Sequence, residues 1–298
     1  MKCDLCQKSD YTIVWDKTQR EQKGILRSVV IRDSEGSIVH GRNVICNHCG
    51  LVQVNPKMSR EELVKFYAED YRKTYKGGNN AQAEKNHAET AWKILYNNIG
   101  FDYHDKLLDV GCSTGELLYR VEDIQPFGIE PNADHAEIAK SRGLNVVNCS
   151  IEVYEPDVTF DIITMLNALE HVYSPTEALT KIHSLLNDKG YILISVPNIY
   201  NRSIHIPVDA FLSNAHLYNF SIDTLTQYFL KCGFKIAGQY QVTEEMGDKI
   251  YLLGQKMKQK NSRIPKIDKS VIDSTIKHLQ AADFVAYTKM QISQMGFK

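Results

Sequence analysis

LLDVGCSTGELL, residues 107–118, decides how this chain is read. An apolar run closes on an acid, Asp109. Gly111 and Gly115 follow, with Cys112 between them, and then a stretch that reads as a helix over about 115–122. Strand, glycine turn and helix is the arrangement that brings bare backbone against a ligand. The spacing is G-x-x-x-G, without the middle glycine of the G-x-G-x-x-G pattern that seats a pyrophosphate on amides and a helix N-terminus. A P-loop would end in Gly-Lys-Ser/Thr, whereas Gly115 is followed by Glu116, an acid that repels phosphate at a helix start. A cationic group beside Asp109 suits the local charge better. Glu130 ends the next apolar run in GIEPN, where an acid accepts both hydroxyls of a ribose. The implied ligand is a nucleoside with a ribose and a cation but no phosphate, and S-adenosylmethionine meets those terms.

Outward from this stretch the pattern alternates. Strand candidates are 106–110, 126–130, 145–149, 160–166 and 191–196, and helical patterns lie at 115–122, 132–142 and 174–187. Ser174 followed by Pro175 is a helix start. Alternation of this kind gives an α/β fold: a mostly parallel sheet with helices on both faces and ligands at the carboxyl ends of the strands.

The front of the chain has a different texture. Cys3-Asp-Leu-Cys6 and Cys46-Asn-His-Cys49 are two CxxC turns, the spacing that lets four thiolates converge on one tetrahedral structural zinc. TIVW, ILRSVVIRD and SIVHGRNVIC between them read as short strands, with DSEG (33–36) a hairpin turn. Residues 1–55 thus read as a zinc-ribbon module. His48 is not expected to be a ligand, since four sulfurs fill the shell. Residues 56–104 read as a helical bridge, opened by the capping box Ser59-x-x-Glu62 and continued by a helix from about 81 to 99 with Ala88, Ala91, Trp92, Leu95 and Ile99 on one face. Tyr67, Tyr71 and Tyr75 share a helical face, either a packing stripe or a lid over the ligand. Residues 105–255 form the αβ domain. A charged linker and a helix striped with Ile272, Ile276, Leu279 and Val285 make up 256–298, expected to pack back on the domain.

Taken in order, LLDVGCSTGELL, GIEPN, FDIITMLNALEHV, LLNDKGYILISVPN and HLYNFSIDTLTQYFLKCGF resemble the successive motifs of class I S-adenosylmethionine-dependent methyltransferases. The nearest subgroup includes the ubiquinone-biosynthesis O-methyltransferases. The zinc ribbon followed by GLVQVNP and FYAEDY resembles methyltransferases of sugar and surface-polysaccharide pathways. The resemblance implies a Rossmann-like, mostly parallel seven-stranded methyltransferase sheet. It places Asp109, Gly111, Cys112 and Gly115 at the methionine end, Glu130 and Pro131 at the ribose, Ser150 and Ile151 beside the adenine, and Asn167 between cofactor and substrate. The family often carries an acid at the Ser150 position.

Methyl transfer to a hydroxyl or amine also releases a proton, so a base is expected. His171, in LEHV, and His216, in NAHLYNFS, sit where the resemblance puts the acceptor; a histidine bonded to backbone and a loop hinge are the competing readings. Glu170 would hold His171 or another polar group. In the sugar C-methyltransferases a Tyr-x-Glu arrangement precedes the second histidine; here the positions are Ser213 and Ala215, which favours O- or N-methylation over C-methylation. The segment 197–220 reads as the substrate-facing insertion, with Tyr200, Arg202, His205 and Asp209; Arg202 would meet an anionic substrate. Rivals are a sugar C-methyltransferase, a nicotinamide or nucleotide-sugar enzyme on a similar sheet, a non-catalytic zinc-ribbon or nucleoside-binding module, and a methyltransferase of a macromolecule, protein or RNA.

Bulk properties are ordinary for a folded soluble protein, with 43% hydrophobic residues. Lys+Arg is 35 against Asp+Glu 36, a net charge of −1, so no general attraction to nucleic acid or an anionic membrane is expected. No run approaches a membrane span and the N-terminus has no apolar signal core, so a cytoplasmic monomer or homodimer is expected. In such a compartment the remaining three of the seven cysteines read as buried hydrophobes.

Overall fold

The computed structural model describes residues 2–22, 41–65, 81–121, 123–202, 208–212, 216–244, 247–258 and 264–294. In chain order its elements are β1 (Tyr11–Asp16), α1 (Lys17–Gln22), β2 (Arg42–Cys46), β3 (Val52–Val54), α2 (Arg60–Lys65), α3 (Ala81–Asn98), β4 (Lys106–Val110), β5 (Gln125–Ile129), α4 (Ala133–Ser141), β6 (Val146–Val147), β7 (Phe160–Leu166), α5 (Pro175–Leu185), β8 (Leu186–Arg202), α6 (Val208–Phe211), β9 (Tyr218–Asn219), α7 (Ile222–Cys232), β10 (Phe234–Glu244), β11 (Gly247–Lys256) and α8 (Lys269–Gln294).

Seven strands form one sheet in the order β6-β5-β4-β7-β8-β11-β10. From β6 to β8 all neighbours are parallel, and β11 runs against both β8 and β10. The chain moves outward from β4 to β6 and returns to β7, so the order reverses between β4 and β7. The central strands are apolar almost throughout because both faces are covered. Leu108, Val110, Ile163, Ile192 and Ile250 pack under α5 and α7, with Leu179, Ile182, Leu225 and Phe229. The alternate residues Leu107, Ile162, Leu193, Tyr251 and Leu253 face the other way, onto Ala91 and Leu95 of α3 and Ala136 and Ala139 of α4. The architecture is the Rossmann-like, mostly parallel seven-stranded sheet.

Helix starts follow local chemistry. Ser174 caps α5 through Glu177 N, with proline in the first turn. Ser221 and Thr224 form a capping box on α7, and Gly233 closes it at φ 94°. Ser59 and Glu62 exchange their bonds ahead of α2. One expectation fails: the described part of 115–122, residues 115–121, is not an α-helix. Tyr119 N reaches Gly115 O once, then a 3-10 turn covers Leu118–Arg120 and Val121 is extended. Leu117 and Leu118 are drawn into the core and β5 begins at Gln125, which leaves no room for a longer helix. The apolar run 145–149 gives only the two-residue β6.

The N-terminal segment builds a second sheet, β1-β2-β3-β9. Its fourth strand comes from residues 218–219, so the αβ region completes the small sheet. Residues 17–22, between the strand candidates, are helical; the strand candidate ILRSVVIRD (25–33) and the turn DSEG (33–36) lie outside the described residues. The first helical turns of α8 place Ile272 and Leu279 against Trp15, Ile199, Val208 and Leu212, between the small sheet and the end of β8. Among the described residues no helix is long and apolar enough to cross a membrane.

Candidate functional site

The sequence-selected acids and histidines gather at the carboxyl ends of β4, β5 and β7, on both sides of the reversal. Asp109 is 4% exposed and accepts from the Thr164 hydroxyl at 2.7 Å. Burial, opposed by that bond and reinforced by Glu130, pushes its carboxyl up to about 7. An acid so disfavoured as an anion is a place for a cation.

The loop that follows is tight. Gly111 (φ 74°), Ser113 (51°) and Gly115 (86°) are left-handed. A Cβ on Gly115 would lie 2.2 Å from Leu144 Cδ1, and one on Gly111 3.1 Å from the Ala168 Cβ. The glycine loop therefore touches the loop after β7. Four of the five amides from 111 to 115 are already bonded: Gly111 and Cys112 to Ile129 O, Ser113 to the Glu130 carboxylate, Gly115 to Cys112 O. A phosphate cradle needs such amides turned toward the ligand. Glu116 is ion-paired with Arg142 at 2.8 Å, so the consumed amides, not that acid, are what exclude a phosphate. Cys112 turns its thiol into the core, where a Cβ on Gly128 would meet Sγ at 2.8 Å.

Glu130 is buried and oriented by two amides, Ser113 N at 2.9 Å and Asn132 N at 2.8 Å. Asn148 ties the carbonyls of Glu130 and Pro131 to the end of β6. Ser150 opens the 3-10 turn Ile151–Val153 with its hydroxyl making no cap bond, and Ile151 is buried.

Across the reversal, Asn167 (φ 49°) is held on every side. Its amide N–H reaches Ser195 O at 2.9 Å, its Oδ1 accepts from Lys249 Nζ at 2.7 Å, and its Nδ2 meets His87 Nδ1 at 2.8 Å. With Oδ1 taken by the ammonium, Nδ2 donates to Nδ1, so the proton of His87 sits on Nε2, 2.7 Å from Ser195 Oγ. Burial, then the Lys249 charge, lowers His87 to about 3 and keeps it neutral. Sequence reasoning missed His87, Ser195, Lys249 and Thr164. Ser195 and Thr164 stand out only as polar residues inside apolar strands, a signal that does not name their partners.

Glu170, His171 and His216 form a cluster in which one ligand atom from each lies within 4.8 Å of the others. The imidazoles are edge to face at 4.9 Å and 70°. Glu170 is 2% exposed, its Oε1 lies 3.9 Å from His171 Nε2, and its Oε2 has no hydrogen-bond partner among the described residues. Burial first, then the neighbouring His171, Lys249 and Lys17, lowers His216 well below the ordinary imidazole range. Lys17, fully buried at the start of α1, was not foreseen there. Tyr67, Tyr71, His205, Ser213 and Ala215 lie outside the described residues, as do the side chains of Arg202 and Asp209.

The four N-terminal cysteines converge, with Cys3 Sγ 3.6 Å from Cys49 Sγ and Cys6 Sγ 3.5 Å from Cys46 Sγ. A tetrahedron with metal–sulfur bonds of about 2.3 Å has edges of about 3.8 Å, so the set fits one zinc ion. The two turns match bond for bond. Gln7 N and Gly50 N reach Cys3 O and Cys46 O, Cys3 N and Cys46 N reach Lys8 O and Leu51 O, and Gln7 and Gly50 are both left-handed.

Comparison with known proteins gives partial matches. The tRNA U34 carboxymethyltransferase of Histophilus somni is 24% identical over 142 residues, 43% of this chain and 44% of that one. The mitochondrial ubiquinone biosynthesis O-methyltransferase of Schizosaccharomyces pombe is 29% identical over 101 residues, 30% of this chain and 37% of that one. The chain thus spans less than half the length of these relatives. The Burkholderia thailandensis 1,6-didemethyltoxoflavin-N1-methyltransferase, solved with S-adenosylhomocysteine, superposes with a TM-score of 0.54 at 18% identity, over 72% of this chain and 96% of that one. The family described as a methyltransferase domain matches residues 80–239, over half of the 298, and with its sheet, glycine loop and paired acids the chain belongs to that family.

Proposed function

We propose that this chain transfers a methyl group from S-adenosylmethionine to the oxygen or nitrogen of a small-molecule acceptor. The observation that carries the reading is one juxtaposition. Two buried acids, Asp109 and Glu130, suit a cation and a ribose, and the loop in contact with theirs carries Glu170 and His171, which His216 joins from the loop before β9. Bound there, S-adenosylmethionine supplies an electrophilic methyl on a sulfonium. The chain supplies placement and proton removal. Asp109 offers its carboxylate to the cationic end, and Glu130, held by two amides, offers its own to the ribose hydroxyls. His216, uncharged at neutral pH, accepts the acceptor's proton, with the Glu170 side chain within 4.8 Å of the imidazolium that results. Alignment of acceptor and methyl accounts for much of the remaining acceleration.

Cys3, Cys6, Cys46 and Cys49 hold one structural zinc in this reading. Four sulfurs leave no position for water or substrate, so the metal's part is to fix the two knuckles. The net charge of −1 supports a small acceptor over RNA. The ubiquinone-pathway relative supports an O-linked reaction, and the motif resemblance supports a sugar-pathway acceptor. The test is incubation with methyl-labelled S-adenosylmethionine, a fractionated metabolite extract and, separately, bulk tRNA. Label entering the low-molecular-mass fraction, and lost in His216→Ala, supports the proposal. Label entering RNA alone overturns the small-molecule acceptor, and no transfer to either overturns the activity.

A further inference from the structure

The loop carrying His216 is held from the N-terminal segment. Directly after the histidine, the amides of Leu217 and Tyr218 donate to Glu170 O at 2.9 and 3.3 Å. Tyr218 and Asn219 then pair with β3 as β9, and Val54 N donates to Leu217 O at 2.9 Å. Three residues beyond β3, Lys57 closes the arrangement. Its ammonium donates to Tyr173 O at 2.9 Å and to the Tyr218 hydroxyl at 2.7 Å, and that hydroxyl donates to the same Tyr173 carbonyl at 2.8 Å. The ammonium also lies 4.4 Å from the Tyr173 ring centre and 5.0 Å from that of Tyr218.

The two ends of this triangle are placed alike. Tyr173 lies two residues after His171, and Tyr218 two residues after His216. Two of the three short bonds end on one carbonyl and the third joins their donors, so neither loop can slide without breaking two of them. Taking the methyl-transfer reading as its basis, we propose that Lys57 and Tyr218 are positioning residues: the N-terminal segment clamps the 170–173 and 216–218 loops together and so sets the spacing of His171 and His216. A core-filling role alone would be met by an apolar side chain. An ammonium among neutral acceptors is costly, and burial accordingly lowers Lys57 from its usual range. What the polar triangle adds is direction, because its bonds fix two backbones at defined distances.

The test uses the full chain with Tyr218→Phe, which keeps the ring and removes one hydroxyl, and Lys57→Met as a second variant. Proton NMR detects the contact between the two imidazole rings. Calorimetry reports S-adenosylhomocysteine affinity and elemental analysis reports bound metal. Expected in both variants are parent-like affinity and metal content, loss of the imidazole cross-peak, and slower methyl transfer into the metabolite fraction. A misplacement of 1 Å corresponds to a fall of about 100-fold. Lys57→Arg, which keeps a cationic donor, is expected to restore the cross-peak in part. A cross-peak intact in both variants overturns the clamp whatever the chemistry. A lost cross-peak with transfer at the parent rate overturns the positioning role. Failure of the methyl-transfer reading shows separately, as no binding of S-adenosylhomocysteine by the parent chain.

Discussion

Asp109 is the residue whose chemistry depends most on pH. Its carboxyl titrates near 3.8 when unfolded and at about 7 when folded, so the folded chain holds the proton more tightly. The stabilisation from this group is complete below about 3.8 and is lost as pH rises through about 7. Asp109→Asn is therefore expected to melt at a higher temperature than the parent at pH 8, and near the parent at pH 4. Cofactor binding moves the other way, because a cation wants the carboxylate. Calorimetry on the parent should find affinity for S-adenosylmethionine rising up to about tenfold per pH unit below 7 and levelling above it. Asp109→Asn should bind weakly with no such slope; a sloped curve in the variant would remove Asp109 from this role. Gly115 matters through its backbone. Gly115→Ala forces a left-handed non-glycine residue and a 2.2 Å approach to Leu144 Cδ1, so urea unfolding should show a loss of about 1–3 kcal/mol or more. Both residues were legible because their signal is local: an acid ending an apolar run, and glycines at turn spacing. His87, Ser195 and Lys249 were not, because their meaning lies in Asn167, 80, 28 and 82 residues away in the chain.

Among the elements, the two knuckles and the small sheet decide whether the acceptor side is assembled. The CxxC pairs could be read directly, since two thiols three positions apart turn toward one point. That the small sheet closes with β9 could not, since a two-residue strand has no periodicity and its partner is Val52–Gln53. For the same reason Asp4 carried no signal, yet its side chain accepts from Ser174 Oγ, Thr176 N and the Tyr228 hydroxyl, and Lys231 donates to its carbonyl. It locks the first knuckle onto α5 and α7. Asp4→Ala leaves those donors without their acceptor, and chemical denaturation should register a loss of about 1–3 kcal/mol. The Cys46→Ser, Cys49→Ser double variant should carry no stoichiometric zinc and melt about 10 °C or more below the parent. Parent-like melting of that variant would mean the cysteines are not a structural metal site.

For the molecule as a whole, the alternation from 105 onward sufficed for the parallel half of the sheet, because strands buried on both faces are apolar without interruption. It did not reveal β10 and β11, in which Lys235, Gln239, Gln241, Lys249 and Gln255 interrupt the apolar pattern at the antiparallel end. It also misjudged the helix after the glycine loop, where core burial of Leu117 and Leu118 overrode helical periodicity. What the finished fold contributes beyond those elements is adjacency. The reversal between β4 and β7 brings an acid pair that suits a cationic nucleoside against the loop bearing Glu170 and His171, and the His216 loop is bonded to that loop and to β3 of the N-terminal segment. The claim that this is a methyl-donor site rests on the consumed amides of 111–115 and on Asp109 and Glu130. It is tested most directly by calorimetric titration with S-adenosylmethionine, S-adenosylhomocysteine and NAD, with Glu130→Ala as the control. Saturable binding of both sulfur nucleosides, weakened at least about tenfold in the control (one lost charged hydrogen bond or more), with none for NAD, is the expected result. Binding of NAD with neither sulfur nucleoside would contradict it.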